Sequence, residues 1–149
     1  FQGIELRFDF KIKTDKVVYL SDYAHHPEEI KQSILSVRAL YQDKKLTAIF
    51  QPHLYTRTRD FYQEFADSLS LLDEVILTDI YPSRELPIEG VSSQLIYDHL
   101  SPNVEKTLCK KEEVLELLKN KNIEVLITLG AGDIENYASQ ICEILNQQC

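Results

Sequence analysis

Histidine, arginine and aspartate gather in a few short stretches of this sequence, each following an apolar run. Asp22-Tyr23-Ala24-His25-His26-Pro27 holds a carboxylate, a phenol and two imidazoles. Gln51-Pro52-His53-Leu54-Tyr55-Thr56-Arg57-Thr58-Arg59-Asp60 adds a third imidazole and two guanidinium groups. Asp79-Ile80-Tyr81-Pro82-Ser83-Arg84-Glu85 and Gly130-Ala131-Gly132-Asp133 complete the set. Three of the four histidines lie in the first two stretches, and His99 stands apart near the end of a helical segment. Guanidinium groups grip carboxylates and phosphates by paired hydrogen bonds, so these residue types offer binding of an anion.

Each stretch also has a purely structural use. His25 and His26 can cap the helix that follows them, or ligate a metal, although no third ligand stands at a fixed spacing. Arg57 and Arg59 can be solvated surface charges. A cation at Arg57, close to a helix start, opposes the helix dipole, a conflict that an anionic ligand would resolve. Gly130-x-Gly132 lacks the third glycine of a dinucleotide fingerprint and fits a tight strand-to-helix turn with Asp133 as N-cap. The sequence has no GxxxxGK[ST] phosphate loop and no Ser-His-Asp or Cys-His nucleophile pattern. Residue types and spacing thus reach a ligand-binding domain with His- and Arg-lined loops.

The elements that must carry these loops follow from periodicity. Leu6, Phe8 and Phe10 alternate with polar neighbours, and Val17-Val18-Tyr19-Leu20 follows Thr14-Asp15, which predicts an N-terminal hairpin. The spacing of Ile30, Ile34, Val37 and Tyr41 predicts a helix, with Pro27 in its first turn and Glu28 and Glu29 at its positive end. Leu46 to Phe50 reads as a buried strand, followed by a helical stripe of Phe61, Phe65, Leu69 and Leu72. Val75 to Thr78 is a strand, Ser93 to Leu100 a helix, Val104 to Leu108 a weaker strand and Lys111 to Leu118 a helix. Ile123 to Leu129 is the clearest buried strand, and the last helix turns Ile134, Tyr137, Ala138, Ile141 and Leu145 inward. Strands alternating with helices imply an α/β fold: an open, mostly parallel, doubly wound sheet with an antiparallel edge strand from the N-terminal hairpin. In such a sheet ligands bind beyond the carboxyl ends of the strands, where the four stretches fall.

The composition narrows the functions. The chain has 149 residues, 44% hydrophobic and 27% charged, which fits one domain, residues 1–149, with a real core. Lys and Arg total 16 against 24 Asp and Glu, a net charge of −8, so no basic surplus serves nonspecific nucleic-acid binding. No apolar run approaches the ~20 residues of a membrane span. Cys109, Cys142 and Cys149 lack metal-site spacing and read as reduced thiols, the last two on one helix face. The sequence has no Met and opens on Phe1-Gln2-Gly3-Ile4, which predicts a piece excised from a longer protein.

Five ordered motifs carry a resemblance. GIELRFDF at Gly3 to Phe10, DYAHHPEEI at Asp22 to Ile30, QPHLYTRTRDF at Gln51 to Phe61, the stretch from Asp79 to Ser93, and LGAGDI at Leu129 to Ile134 together resemble the Rossmann-like C-terminal domain of the ATP-dependent Mur ligases of bacterial peptidoglycan synthesis. Within that family the match is to the branch that joins L-alanine to UDP-N-acetylmuramate. The resemblance implies a cytoplasmic three-domain enzyme in which ATP and Mg2+ serve an acyl phosphate mechanism. UDP-sugar and ATPase domains are missing from this chain, which on its own is expected to be inactive. It implies no nucleic-acid or membrane partner.

Carried over by position, the resemblance sets Asp22 near the ATP ribose and Arg7 near the nucleotide or its phosphates. Tyr23, His25, His53 and Arg57 fall on the L-alanine side, Arg57 gripping the carboxylate, while Gly130, Gly132 and Asp133 line the cleft. No residue is assigned as catalytic and none as a metal ligand. Two positions depart from the family pattern: Leu54 stands where Arg is usual, and Leu6 replaces the first of an Arg-Arg pair. Two other readings fit the same fold: a noncatalytic small-molecule or interaction module, and the related ligase that recycles murein peptides.

Overall fold

The computed structural model describes residues 9–130 and 132–147. Arg7, most of the Gly3–Phe10 motif, Ala131 and Cys149 therefore lie outside the described residues. The elements run β1 (Asp9–Lys13), β2 (Val18–Asp22), α1 (Pro27–Leu40), β3 (Leu46–Phe50), α2 (Tyr55–Leu69), β4 (Glu74–Leu77), α3 (Gln94–His99), β5 (Glu105–Leu108), α4 (Lys111–Lys119), β6 (Val125–Leu129), a 3₁₀ turn (Asp133–Tyr137) and α5 (Ala138–Gln147). The strands form one sheet in the order β1-β2-β6-β3-β4-β5. β1 pairs antiparallel with β2, and every other pairing is parallel. The predicted hairpin closes through Thr14, whose N–H donates to the Val17 carbonyl at 3.0 Å.

Alternation along the strands divides the apolar side chains between two faces. Val18, Leu20, Leu46, Ala48, Phe50, Val75, Leu77, Val125, Ile127 and Leu129 join the inward residues of α1, α2 and α3 on one face. Tyr19, Ile49, Ile76 and Leu126 meet α4, α5 and the 3₁₀ turn on the other. Helices thus cover both faces, as the alternating pattern requires.

Two helical expectations are corrected. Phe61 does not join the buried stripe of α2: its backbone departs from helical values (φ −129°, ψ 16°) and its ring is 38% exposed, while Phe65, Leu69 and Leu72 are buried. A kink there turns the helix face, so the stripe begins one turn later. Nor does the last helix run unbroken from Ile134. The chain leaves β6 through a 3₁₀ turn, and α5 begins at Ala138.

β6 sits between β2 and β3, and its chain leaves to the face opposite the one taken by both neighbours. α1 and α2 follow β2 and β3 on one face, whereas the 3₁₀ turn and α5 follow β6 on the other. Loops splay apart on either side of β6, which opens the crevice where open α/β sheets bind ligands.

Candidate functional site

Three loops meet at this crevice. The first starts at Asp22, the last residue of β2, 6% exposed, with a hydrogen bond on each carboxylate oxygen. Its Oδ1 accepts the Ala24 N–H at 3.1 Å, and its Oδ2 accepts the Ser33 hydroxyl of α1. This short-range turn sends the chain outward, leaving Tyr23 57% exposed at the rim. The His25 Nδ1 lies 3.0 Å from the Tyr23 carbonyl. A carbonyl can only accept, so Nδ1 carries the proton and Nε2 of neutral His25 is unprotonated. The two histidines do not cap α1 unaided: Glu29 reaches back to accept the N–H groups of His25 and His26, each at 3.2 Å. Pro27 takes the first helical position, as its fixed φ favours.

The second loop leaves β3. Gln51, 1% exposed, donates from Nε2 to Asp133 Oδ1 at 2.7 Å and accepts the Ile134 N–H on Oε1 at 2.9 Å. His53 follows, stacked on Tyr81 with ring centroids 5.7 Å apart and planes 14° from parallel. The Leu54 N–H donates to the Tyr81 carbonyl at 2.9 Å, and the Tyr81 N–H to the Pro52 carbonyl at 2.8 Å, so the His53 and Tyr81 backbones are laced together. Leu54 adopts φ +75° and turns the chain into α2. Arg57, in the first turn of α2, places Nη1 3.1 Å from His53 Nδ1. A guanidinium can only donate, so His53 accepts on Nδ1 and its neutral form holds its proton on Nε2.

Burial pushes the His53 pKa below its ordinary 6.5, and the neighbouring Arg57 and His25 charges push the same way. His25 and His53 rings stand edge to face, centroids 6.2 Å apart, and the His26 ring is 4.8 Å from that of His25. The structure thus brings His25, His53 and Arg57 together, with His26 and Tyr81 against them.

The third loop, after β6, closes against the second. Gly130 adopts φ +130°, and a Cβ there would lie 2.6 Å from the Gln51 carbonyl oxygen. A Cβ on Gly132 would overlap the Gln51 side-chain amide and come within 2.8 Å of Tyr81 Cβ. Both glycines are therefore required for close approach. Asp133 is not the N-cap that its position suggests. Gly132 occupies that place, and the Asp133 carboxylate instead accepts from Gln51 and from Lys111 Nζ at the start of α4. Those donors hold its pKa below the usual carboxylate range despite partial burial.

The conflict at the start of α2 has an internal resolution. Glu85 Oε1 accepts the N–H groups of Tyr55 at 2.5 Å and Thr56 at 3.1 Å, and Oε2 accepts the Thr56 hydroxyl at 2.5 Å. Glu85 supplies the anion that the helix terminus favours, so the dipole argument for a ligand at Arg57 falls away. Arg59 is paired with Asp60 at 2.9 Å. Arg57 has no carboxylate partner among the described residues; it meets the His53 imidazole. His99 lies away from the crevice, against Tyr62. Among the described residues no group of three His, Cys, Asp or Glu side chains could hold a metal ion, and no helix is long and apolar enough to cross a membrane.

A family model described as "Mur ligase, glutamate ligase domain" matches residues 6–134. The chain belongs to this Mur ligase domain family. Among curated relatives, the UDP-N-acetylmuramate–L-alanine ligase of Phocaeicola vulgatus is 76% identical over 148 residues, 99% of this chain and 32% of that protein. The enzyme of the same name from Parabacteroides distasonis is 58% identical over 149 residues, again 99% of this chain and 32% of its own. The chain therefore spans about a third of the length of the curated relatives it matches. The crystal structure of the UDP-N-acetylmuramate-alanine ligase of Thermotoga maritima superposes with a TM-score of 0.76 at 26% identity, covering 99% of this chain and 31% of that one. A murein peptide ligase from Psychrobacter arcticus shares the fold, with a TM-score of 0.75 at 17% identity over 97% of this chain and 31% of its own.

Sequence reasoning gave no individual role to four residues that hold this crevice together: Gln51, Tyr81, Glu85 and Lys111. Gln51 left a usable signal, a polar side chain directly after five buried strand residues. The other three act across 22 to 30 positions, and local spacing gives no sign of such contacts.

Proposed function

We propose that this chain is the C-terminal domain of a three-domain, ATP-dependent ligase that joins L-alanine to UDP-N-acetylmuramate, acting in the bacterial cytoplasm. The observation that carries the reading is Arg57: a half-buried guanidinium held against a neutral imidazole at the carboxyl end of the sheet, with no carboxylate partner among the described residues. A free amino acid brings the missing carboxylate. Close relatives named as L-alanine ligases favour that amino acid.

In the complete reaction the muramoyl carboxylate attacks the γ-phosphorus of ATP and ADP leaves, giving an acyl phosphate. The L-alanine amine then attacks the acyl carbon, the amine loses a proton, and inorganic phosphate departs. The part of this chain is to bind and orient. Arg57 grips the L-alanine carboxylate in a charge-assisted pair. His53, kept neutral, accepts from Arg57 and presents an Nε2 donor without adding a cation that would repel an incoming ammonium. Tyr23 and His25 border the place where amino acid and nucleotide meet. Asp22 is assigned to the ribose side and Arg7 to the nucleotide phosphates. Gly130, Gly132 and Asp133 form the opposite wall. The ligands of Mg2+ are assigned to the rest of the enzyme.

The deciding experiment measures phosphate release by the full-length protein with UDP-N-acetylmuramate, ATP and a series of acceptors. Release that depends on L-alanine supports the reading. Release that depends on the recycled tripeptide moves the protein to the recycling branch, and no release with any acceptor refutes a ligase. The 149-residue chain by itself is expected to release none.

A further inference from the structure

We propose that Glu85 is a positioning residue for the amino-acid site: from the β4–α3 loop it fixes the first turn of α2 in the register that presents Arg57. The inference rests on the reading of Arg57 as the carboxylate-binding group.

The start of α2 has little local support. Leu54, its N-cap residue, sits at φ +75°, a region that non-glycine residues occupy only at a cost, and its side chain makes no capping hydrogen bond. The first amides of a helix have no partners within the helix and need an acceptor. No Ser, Thr, Asp or Asn at the cap provides one. The acceptor arrives from 30 residues away, where Glu85 takes three donors from Tyr55 and Thr56 with its two oxygens. Its own position is fixed by a tight turn, with the Glu85 N–H donating to the Pro82 carbonyl at 2.9 Å and Ser83 at φ +57°.

Arg57 directly follows the two anchored residues, so any loosening of Tyr55 and Thr56 is transmitted to its guanidinium. The same loop supplies Tyr81, four residues earlier, which stacks on the imidazole that Arg57 contacts. One loop therefore holds both halves of the Arg57–His53 pair. With Glu85 filling the helix terminus, a substrate carboxylate finds its free donors on Arg57.

Steady-state kinetics of the full-length enzyme test this. Glu85→Leu retains most of the volume but removes both acceptor oxygens, and should raise the L-alanine KM about tenfold, the scale of a lost helix cap, while leaving the ATP KM within about twofold. Thr56→Val should raise the L-alanine KM about threefold, and Thr56→Ser should restore the wild-type value. Because the Thr56 hydroxyl donates to Glu85, a bond that Glu85→Leu already removes, the double variant Glu85→Leu, Thr56→Val should be no worse than Glu85→Leu alone. An unchanged L-alanine KM in Glu85→Leu, multiplicative effects in the double variant, or equal rises in both KM values would each overturn the proposal. Arg57→Lys separates the two levels. If it raises the L-alanine KM while Glu85→Leu does not, only the positioning role of Glu85 falls; if Arg57→Lys leaves that KM unchanged, the reading beneath it falls as well.

Discussion

Arg57 and His53 share one hydrogen bond, and that bond makes each a reporter on the other. Arg57→Gln removes the cation that helps depress the His53 pKa, so the imidazole should titrate closer to 6.5, while burial still holds it below that value. Two-dimensional NMR of the imidazole nitrogens across a pH series would show the shift. The same substitution in the full-length enzyme should raise the L-alanine KM about 10- to 100-fold, the loss of one charge-assisted contact. Linkage fixes the sign for stability. A histidine whose folded pKa is depressed is less protonated in the native state than in the unfolded chain between the folded value and 6.5. Stability therefore falls as pH drops through that window and is indifferent to this group above it. Arg57→Gln should narrow the window.

The loops that carry these residues are held by backbone geometry as much as by side chains. Gly130 combines φ +130° with a Cβ position 2.6 Å from the Gln51 carbonyl oxygen. Gly130→Ala should cost more than about 1 kcal/mol, because neither the dihedral nor a strand-end carbonyl can yield cheaply. Urea unfolding checks it: the midpoint should drop with the slope unchanged. The elements themselves were readable from sequence where burial has a period. β3 and β6 are five-residue runs buried throughout, and α1 shows Ile30, Ile34 and Val37 inward. The placement of His25, His53 and Arg57 in one crevice followed from the rule for open α/β sheets, since each comes just after a strand. Periodicity misled where backbone geometry changes within an element, as at Phe61 in α2 and in the 3₁₀ turn after Gly132. It was silent on partners distant in sequence, as when Glu85 caps a helix begun 30 residues earlier or Lys111 meets Asp133.

At the scale of the molecule, the two ends of the sheet do different things. The carboxyl ends open into loops where Arg57 has no carboxylate partner among the described residues, whereas the amino ends are tied by charge. Glu74, at the start of β4, has a side chain 3% exposed and meets Lys121 at 2.5 Å and Lys45 at 3.3 Å. Lys45 also reaches Glu105 of β5 at 3.1 Å, and Arg38 of α1 pairs with Asp73 at 3.0 Å. Removing a partner should harm more than removing the buried group. Lys121→Met leaves a buried carboxylate with one longer contact and should cost about 2–4 kcal/mol. Glu74→Met leaves two lysines that can swing to water and should cost less. Thermal or urea unfolding of both variants decides the order, and the reverse ranking would refute the cluster as a charge clamp.

The place of β6 in the sheet has a consequence for how the protein is made. β2 and β3 do not pair with each other; each pairs with β6, which a ribosome delivers after both. Until Leu129 has emerged, β1-β2 and β3-β4-β5 have no strand to join them, and each set leaves an edge of backbone groups without its partner in β6. Such edges recruit other chains, so the nascent domain is open to aggregation until β6 has emerged. The insertion that ends this exposure also brings Gly130 and Gly132 against Gln51 and Tyr81. Assembly of the sheet and assembly of the binding crevice are one event, and a chain stalled before β6 has neither.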